Sequence, residues 1–295
     1  MSTAGRARGS HAPSLRTIVR RCIEGELRLE RGSTVMLACS GGSDSTAMLH
    51  VLAGLREVHG CRLVAHGVDH GLRPAASAEL ELVRELAESL DVPFERSLVA
   101  IAPGSNLQAR ARTARYEALR EAASRVGAEV IATAHTADDR AETVIMRLLR
   151  GAPAAGLPVL APRSGDLLRP LVRARRRDVA LHLERHRLRH ASDPSNLDAR
   201  FVRVRVRREV MPLLEQLSPR IVESLVALSD ELSEVDGARR ALLDALPVRH
   251  RRVVARALRG GVTKLSLRTD DERELRIDLG APQPSLELVS TPRKR

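Results

Sequence analysis

The sequence predicts an α/β fold: a doubly wound, mainly parallel sheet with a smaller, mostly helical C-terminal domain. Three observations carry this. Short apolar runs at residues 35–38, 63–65, 97–99 and 130–132 alternate with stretches whose apolar residues recur at helical spacing. Strands alternating with helices imply βαβ units and a parallel sheet. Between the first run and the first helical stretch stands Ser40-Gly41-Gly42-Ser43-Asp44-Ser45, a small-residue loop at a strand's carboxyl end. From about Arg175 the pattern is mainly helical.

Each element has its own signal. Residues 1–11 are rich in Arg, Ser and Gly and lack the apolar core of a signal peptide, so a short lead and a first helix are expected over 1–30. Val35-Met36-Leu37-Ala38 reads as a buried strand, and Ala47, Met48, Val51, Leu52 and Leu55 mark the helix after it. Leu63-Val64-Ala65 is the second strand, and Leu82, Leu86 and Leu90 mark a helix over 80–90. A third strand is expected at 97–99, a long helix over 107–126 and a fourth strand at 130–132. Val144, Ile145, Leu148 and Leu149 mark a helix that stops at Gly151. The Pro, Gly and Ala of 151–165 read as a long loop. Val206, Val210, Leu213, Leu214 and Leu217 form one helical face, with Pro212 kinking or restarting the helix. Residues 221–258 are again helix-like, and the alternation after Lys264 fits either short strands or a frayed tail. The expected division is a catalytic domain over 31–217 and a C-terminal domain over 218–295.

Composition narrows the function. The chain has 295 residues, 43% hydrophobic, and no apolar run long enough to span a membrane. Cys22, Cys39 and Cys61 are single and widely spaced, which fits buried thiols in a reduced cytoplasm and neither a disulfide framework nor a cysteine zinc site. Net charge is +12, and residues 163–220 hold 15 Arg against 7 Asp and Glu. A basic band suits a polyanion such as RNA. With one Tyr, two Phe and no Trp, phosphate contacts are expected over aromatic base stacking.

The Ser40–Ser45 loop is a phosphate cradle: Gly41 and Gly42 let the backbone approach an anion, and Ser40, Ser43, Ser45 and the helix N–H groups point at it. No Gly-x-x-x-x-Gly-Lys-Ser/Thr occurs, so this is not the ordinary nucleotide loop. Asp44 would repel bare phosphate, and its reading is a ligand for Mg²⁺. His66-Gly67-Val68-Asp69-His70-Gly71-Leu72-Arg73 lies just past the second strand, where Asp69 and His70 either reach the nucleotide or hydrogen-bond their own loop. At the fourth strand end, Thr136 and Asp139 have the spacing of a capping box. That box accounts for one carboxylate, not for two beside His135; paired Asp138 and Asp139 at a helix N-terminus can hold Mg²⁺ or a substrate ammonium, with Glu142 on the same face. Arg110, Arg112, Arg115 and Tyr116 follow Asn106-Leu107-Gln108. Arg203, Arg205, Arg207 and Arg208 follow Asp193-Pro194-Ser195-Asn196, and the apolar face favours a helix with guanidiniums displayed around it.

The loop resembles that of the N-type ATP pyrophosphatases (the PP-loop, adenine nucleotide alpha hydrolase-like fold). With Val68–Arg73, Asn106 to Tyr116, Ala134-His135, Asp138-Asp139, Glu142-Thr143, Arg169-Pro170-Leu171 and Asp193–Asn196, the region from Ser33 to Leu217 resembles the tRNA(Ile)-lysidine synthetases. That family usually has His where Thr136 stands, Gln where Arg140 stands and Asn where Val204 stands.

The resemblance implies a ligase that uses ATP and Mg²⁺ to join L-lysine to C2 of the wobble cytidine of a CAU-anticodon isoleucine tRNA. It implies nucleotide contacts from the loop, Asp69, His70 and His135, and Mg²⁺ at Asp44 and Asp139. It further implies lysine or Mg²⁺ at Asp138 or Asp139, phosphate or adenylate at Arg112 and Arg115, and tRNA at Arg203, Arg205, Arg207 and Arg208. The partners are tRNA and lysine, with no membrane, in the cytoplasm; a homodimer stays open. The rivals are a tRNA-thiolating enzyme of the same superfamily, an amide synthetase acting on a small molecule, and a nucleotide- and RNA-binding module without catalysis.

Overall fold

The computed structural model describes residues 12–69, 71, 75–100, 107–191, 200–246, 248–268, 274–280 and 285–289. They form two compact units. One joins the chain up to Met146 with Val159–Val226, and the other joins Arg147–Pro158 with the residues from Ala227 on.

The first unit holds a six-stranded sheet of order β3-β2-β1-β4-β6-β5, made of β1 (Thr34–Ala38), β2 (Arg62–Asp69), β3 (Phe94–Leu98), β4 (Val130–Ala132), β5 (Arg163–Ser164) and β6 (Leu167–Leu168). All neighbours are parallel except β5 and β6. Its helices are α1 (Leu15–Cys22), α2 (Ser43–His59), α3 (Ala75–Ser89), α4 (Leu107–Arg125), α5 (Ala137–Leu149), which ends in the second unit, and α6 (Arg176–Arg185). Strand β1 is central, with Val35 opposite both Leu63 and Val130. Its side chains alternate between two cores. Val35 and Leu37 pack with Leu15, Val19, Met48, Val51 and Val179 on one side, and Met36 packs with Leu119, Ala122 and Ile131 on the other. Strand order reverses at β1, since the chain moves outward to β2 and β3 and then returns to β4 on the other flank. That switch point opens a crevice beyond the carboxyl ends of β1 and β4. The Ser40–Ser45 loop and Thr133–Thr136 both start there.

The local differences from the sequence reading have physical causes. Strand β2 runs on to Asp69, so His66 lies within the strand and not in a loop beyond it. Its ring is 0% exposed and Nε2 meets Ser97 Oγ at 3.0 Å, which satisfies one of its two ring nitrogens inside the sheet. Strand β3 is shifted to Phe94–Leu98 by its pairing with β2, from Ala65 opposite Phe94 to Asp69 opposite Leu98. The expected loop over 151–165 already contains β5, which turns back at Gly165 to pair with β6.

Beyond residue 200 lie α7 (Val202–Arg205), a π-helical turn at Val206–Val210, and α8 (Met211–Leu217) with Pro212 in its first turn. Proline cannot donate to the preceding turn and crowds its carbonyl, and the widened turn absorbs that conflict. Helices α9 (Ile221–Ala245), which begins in the first unit, and α10 (Val248–Arg259) follow, and the alternating tail forms an antiparallel sheet β7-β8-β9 (Lys264–Arg268, Glu274–Asp278, Ser285–Val289). Leu275 and Ile277 of β8 pack with Leu242, Leu246 and Val254 in the second unit's core.

Met36 is fully buried on the smaller of the two sheet faces. Met36→Ala is expected to lower the unfolding free energy by about 2–5 kcal/mol in urea titrations. A loss below about 1 kcal/mol would mean that this face is not packed as described.

Candidate active site

The loop after β1 is built around one conformation. Gly41 has φ +81°, and a Cβ there would lie 2.6 Å from the Glu79 carbonyl oxygen, so only glycine fits. Its carbonyl accepts the Ala191 N–H at 2.8 Å, which anchors the loop from outside. Inside, Ser45 Oγ accepts the Ser40 N–H at 3.2 Å and donates to Gly42 O at 3.0 Å. Ser45 thus braces the loop, whereas Ser43 lines the cleft described below. Gly42 is the N-cap of α2, and Thr46 N–H makes the first helical bond, to Gly42 O. The N–H groups before it have no acceptor within the helix and, with the helix dipole, suit an anion.

Across the crevice the first turn of α5 carries Asp138 and Asp139, and the second carries Glu142. Thr136 and Asp139 form the expected capping box: Thr136 N–H and Oγ1 both reach Asp139 Oδ2 at 2.9 Å. Asp139 Oδ1 is left to accept from Arg176 at 2.6 Å, Arg203 at 3.0 Å and Arg207 at 3.3 Å. Glu142, 1% exposed, accepts from the same three: 2.5 Å to Arg176, 3.2 Å to Arg203 and 2.8 Å to Arg207. Asp138 accepts the Arg176 N–H at 2.8 Å, capping α6, and pairs with Arg175, which also reaches Glu215 and Glu223.

Burial opposes ionisation of Asp139, but Arg176, Arg203 and the Thr136 N–H hold its carboxyl well below the usual range. Asp44 is the reverse case. Burial, and then the neighbouring Asp139 carboxylate, push it up to about 6 against the pull of Arg176 and Arg207. An oxygen donor whose ionisation is opposed by burial and by a neighbouring carboxylate is the kind of group that a hard dication would relieve.

A third group lies beside this one. Arg112 and Arg115 sit with their guanidinium carbons 5.1 and 5.3 Å from the centre of the Tyr116 ring. Tyr116 Oη, Arg115 Nε and Arg169 Nε are buried and have no hydrogen-bond partner among the described residues. His135 is pulled down to about 4 by burial, with Arg169, Arg112 and Arg115 adding to it against Asp139, so its imidazole is neutral at pH 7. Its Nδ1 lies 3.0 Å from Thr133 Oγ1.

A cleft of ≈ 480 Å³ runs from the start of α2 along α6 and past its end, lined by Ser43, Asp44, Arg176, Val179, Leu183 and Arg187. The structure therefore brings Asp44, Asp138, Asp139 and His135 to one end of the sheet. It turns Arg203 and Arg207 inward onto carboxylates, where the sequence leads one to expect them displayed to solvent. Arg205 pairs with Glu209 on its own helix, and Arg208 is exposed. Asp69 accepts the Gly71 N–H at 2.8 Å, so one of its oxygens holds its own loop. His70, Asn106 and Asp193–Asn196 lie outside the described residues. Arg175 and Arg176, counted in the sequence only as part of a basic band, turn out to be central. Their nearness to the helix start at 176 was the available signal. Thr136 and Arg140, where the resembling family has other residues, both have structural partners: Thr136 in the cap, and Arg140 donating to Val159 O at 2.9 Å.

The sequence matches the PP-loop domain over residues 15–214. It is 43% identical to a tRNA(Ile)-lysidine synthase of Rhodopseudomonas palustris, over 71% of this chain and 62% of that protein. It is 39% identical to the one of Thermobifida fusca, over 72% and 65%, and 38% to that of Symbiobacterium thermophilum, over 70% and 45%. The chain thus spans less than two thirds of the length of these curated relatives. In structure it is similar to the U34-tRNA thiolase NcsA of Methanococcus maripaludis, with TM-score 0.63, 20% identity, 74% of this chain and 78% of that chain, a likeness of fold.

Two outcomes test the site's geometry. Gly41→Ala is expected to cost at least about 1–2 kcal/mol from its positive φ alone, read by urea unfolding; wild-type stability would mean that the loop relaxes freely. For Asp44, the folded state keeps its proton up to about pH 6 while the unfolded chain loses it near 3.8. Stability tied to that proton is full below about 3.8 and is lost as pH rises through 6. In EDTA, Asp44→Asn should match the wild type near pH 3.5 and exceed its stability at pH 7. A gap that does not widen with pH contradicts the shift.

Proposed function

Because the chain belongs to the PP-loop domain family, we propose that it is a carbon–nitrogen ligase that attaches L-lysine to C2 of the wobble cytidine of a CAU-anticodon isoleucine tRNA, using ATP in the cytoplasm. The observation that carries this reading is the meeting, at one switch point, of an anion-binding loop with the Asp138–Asp139–Glu142 carboxylates and an arginine-rich segment bound to them. Lysidine synthases of similar sequence give it its substrates.

The reaction has two balanced steps. The cytidine O2 attacks the α-phosphorus of ATP, and pyrophosphate leaves. The lysine ε-amine then attacks C2, loses a proton, and expels AMP with the former O2. The C2 oxygen of cytosine is a poor leaving group, and adenylation makes it a good one. The loop N–H groups at the start of α2 hold the departing pyrophosphate where its charge develops. Arg112 and Arg115, beside the neutral His135, contact phosphate or the adenylate. Asp138 or Asp139 contacts lysine, whose amine must shed its proton before attack, and buried Glu142 holds the arginines around them. Arg205 and Arg208 take tRNA phosphates, while Arg203 and Arg207 link that segment to the carboxylates.

The donor set fits Mg²⁺: Asp44 is an oxygen ligand pushed up to about 6 by burial and a second carboxylate, with Asp139 beside it. Bound there, Mg²⁺ would neutralise phosphate charge. Sulfur transfer is not favoured, because Cys22 and Cys39 are buried thiols pushed up to about 12 and carry no thiolate at neutral pH.

The test incubates the protein with ATP, Mg²⁺, labelled L-lysine and the CAU tRNA transcript. The expected result is AMP formation and lysine incorporation that each require the tRNA. No incorporation at any protein concentration overturns the proposal. Asp44→Asn should abolish pyrophosphate release and leave tRNA binding nearly intact; loss of tRNA binding would contradict the role given to Asp44.

A further inference from the structure

Three histidines outside this chemistry converge two turns behind the loop. His50 lies on α2, His182 on α6, and His186 caps the end of α6. His50 Nδ1 is 3.0 Å from His182 Nε2, and one ring nitrogen from each of the three lies within 4.8 Å of the others. The ring centroids are 4.4–5.0 Å apart.

We propose that His50, His182 and His186 bind a borderline first-row divalent cation, Zn²⁺ above all, and that this ion staples α2 to α6. With Zn–N bonds of about 2.0–2.1 Å, tetrahedral coordination needs nitrogens roughly 3.3 Å apart. The His50–His182 separation is already close to that, and rotation of His186 closes the third edge. His182 and His186 are four residues apart on one helical face, the spacing that lets two imidazoles share an ion. The site grades from buried His182 through half-buried His50 to exposed His186, so the protein supplies three ligands and a fourth position opens to water. Burial pulls His182 down to about 4 and lowers His50, so both keep their lone pairs at neutral pH. Without an ion, two of the rings can share one hydrogen bond, but three mutually close imidazoles cannot each satisfy the others. A set of neutral nitrogens without a carboxylate selects zinc, cobalt, nickel or copper over magnesium or calcium. Exposed Arg185 is an unfavourable neighbour, and solvent screens it.

The consequence is mechanical. Helix α2 begins at Ser43 in the anion loop, and α6 begins at Arg176 on the carboxylates. An ion joining His50 to His182 and His186 fixes the spacing of those two starts. It would act as a positioning device and not as a reaction group.

The test uses the full-length chain without a histidine tag, stripped of metal by EDTA and dialysed. Zn²⁺ is titrated by calorimetry and Co²⁺ by visible absorption, and Tm is read with and without Zn²⁺. The expected result is one Zn²⁺ per chain with Kd at or below about 1 μM, intense tetrahedral cobalt bands, and a raised Tm. His186→Gln, at an exposed position, should weaken binding at least tenfold and leave the metal-free Tm unchanged; His50→Asn should do the same to binding. Zn²⁺ affinity weaker than about 100 μM, or affinity that neither variant changes, overturns the site.

Discussion

Glu142 sits one turn along α5 from Asp139, with a side chain 1% exposed. A carboxylate so placed must be paired, because an isolated buried charge costs several kcal/mol. Its partners come from two directions: Arg176 from the start of α6, and Arg203 and Arg207 from the segment before α8. Each of these also reaches Asp139. One buried acid therefore fastens two separate stretches of chain to the switch point of the sheet. Removing either side of such a pair is far more costly than forming it is favourable, so the arrangement specifies geometry more than it adds stability.

That fastening sets the electrostatics of the crevice. Burial and the carboxylates on α5 together push Asp44 up to about 6, and the arginines drawn in to balance those carboxylates hold Asp139 low. Below about pH 6 two neighbouring acids are thus kept in different protonation states by their surroundings, a pattern common at reactive sites. The basic segment earns a second role as well: part of its charge is committed to the site, and the remainder, at Arg205 and Arg208, stays near solvent.

Much of this could be read from the chain. The Ser40–Ser45 loop, the strand before it and the helix after it follow from residue size and apolar spacing, which act locally. Val130–Ala132 was legible for the same reason, and the Thr136–Asp139 cap from a spacing of three. Other features depend on partners distant in sequence. Charge counting registers Arg203 and Arg207 as basic surface, because nothing nearby announces a buried Glu142 some sixty residues earlier. His66 reads as part of the stretch past the second strand until β3 brings Ser97 against it. The His182–His186 spacing is visible on α6, but His50 joins it only because α2 and α6 pack on the same face of the sheet.

The central claim is that buried Glu142 holds the basic segment to the switch point of the sheet. Hydrogen exchange of the Glu142→Gln protein, followed by mass spectrometry at residues 202–210, tests it most directly. Loss of one carboxylate charge facing Arg176, Arg203 and Arg207 should release that segment, with exchange there accelerating at least tenfold while β1 and β4 stay protected. Unchanged protection over 202–210 would contradict the claim, and would mean that packing, not this ion-pair lattice, keeps the segment in place.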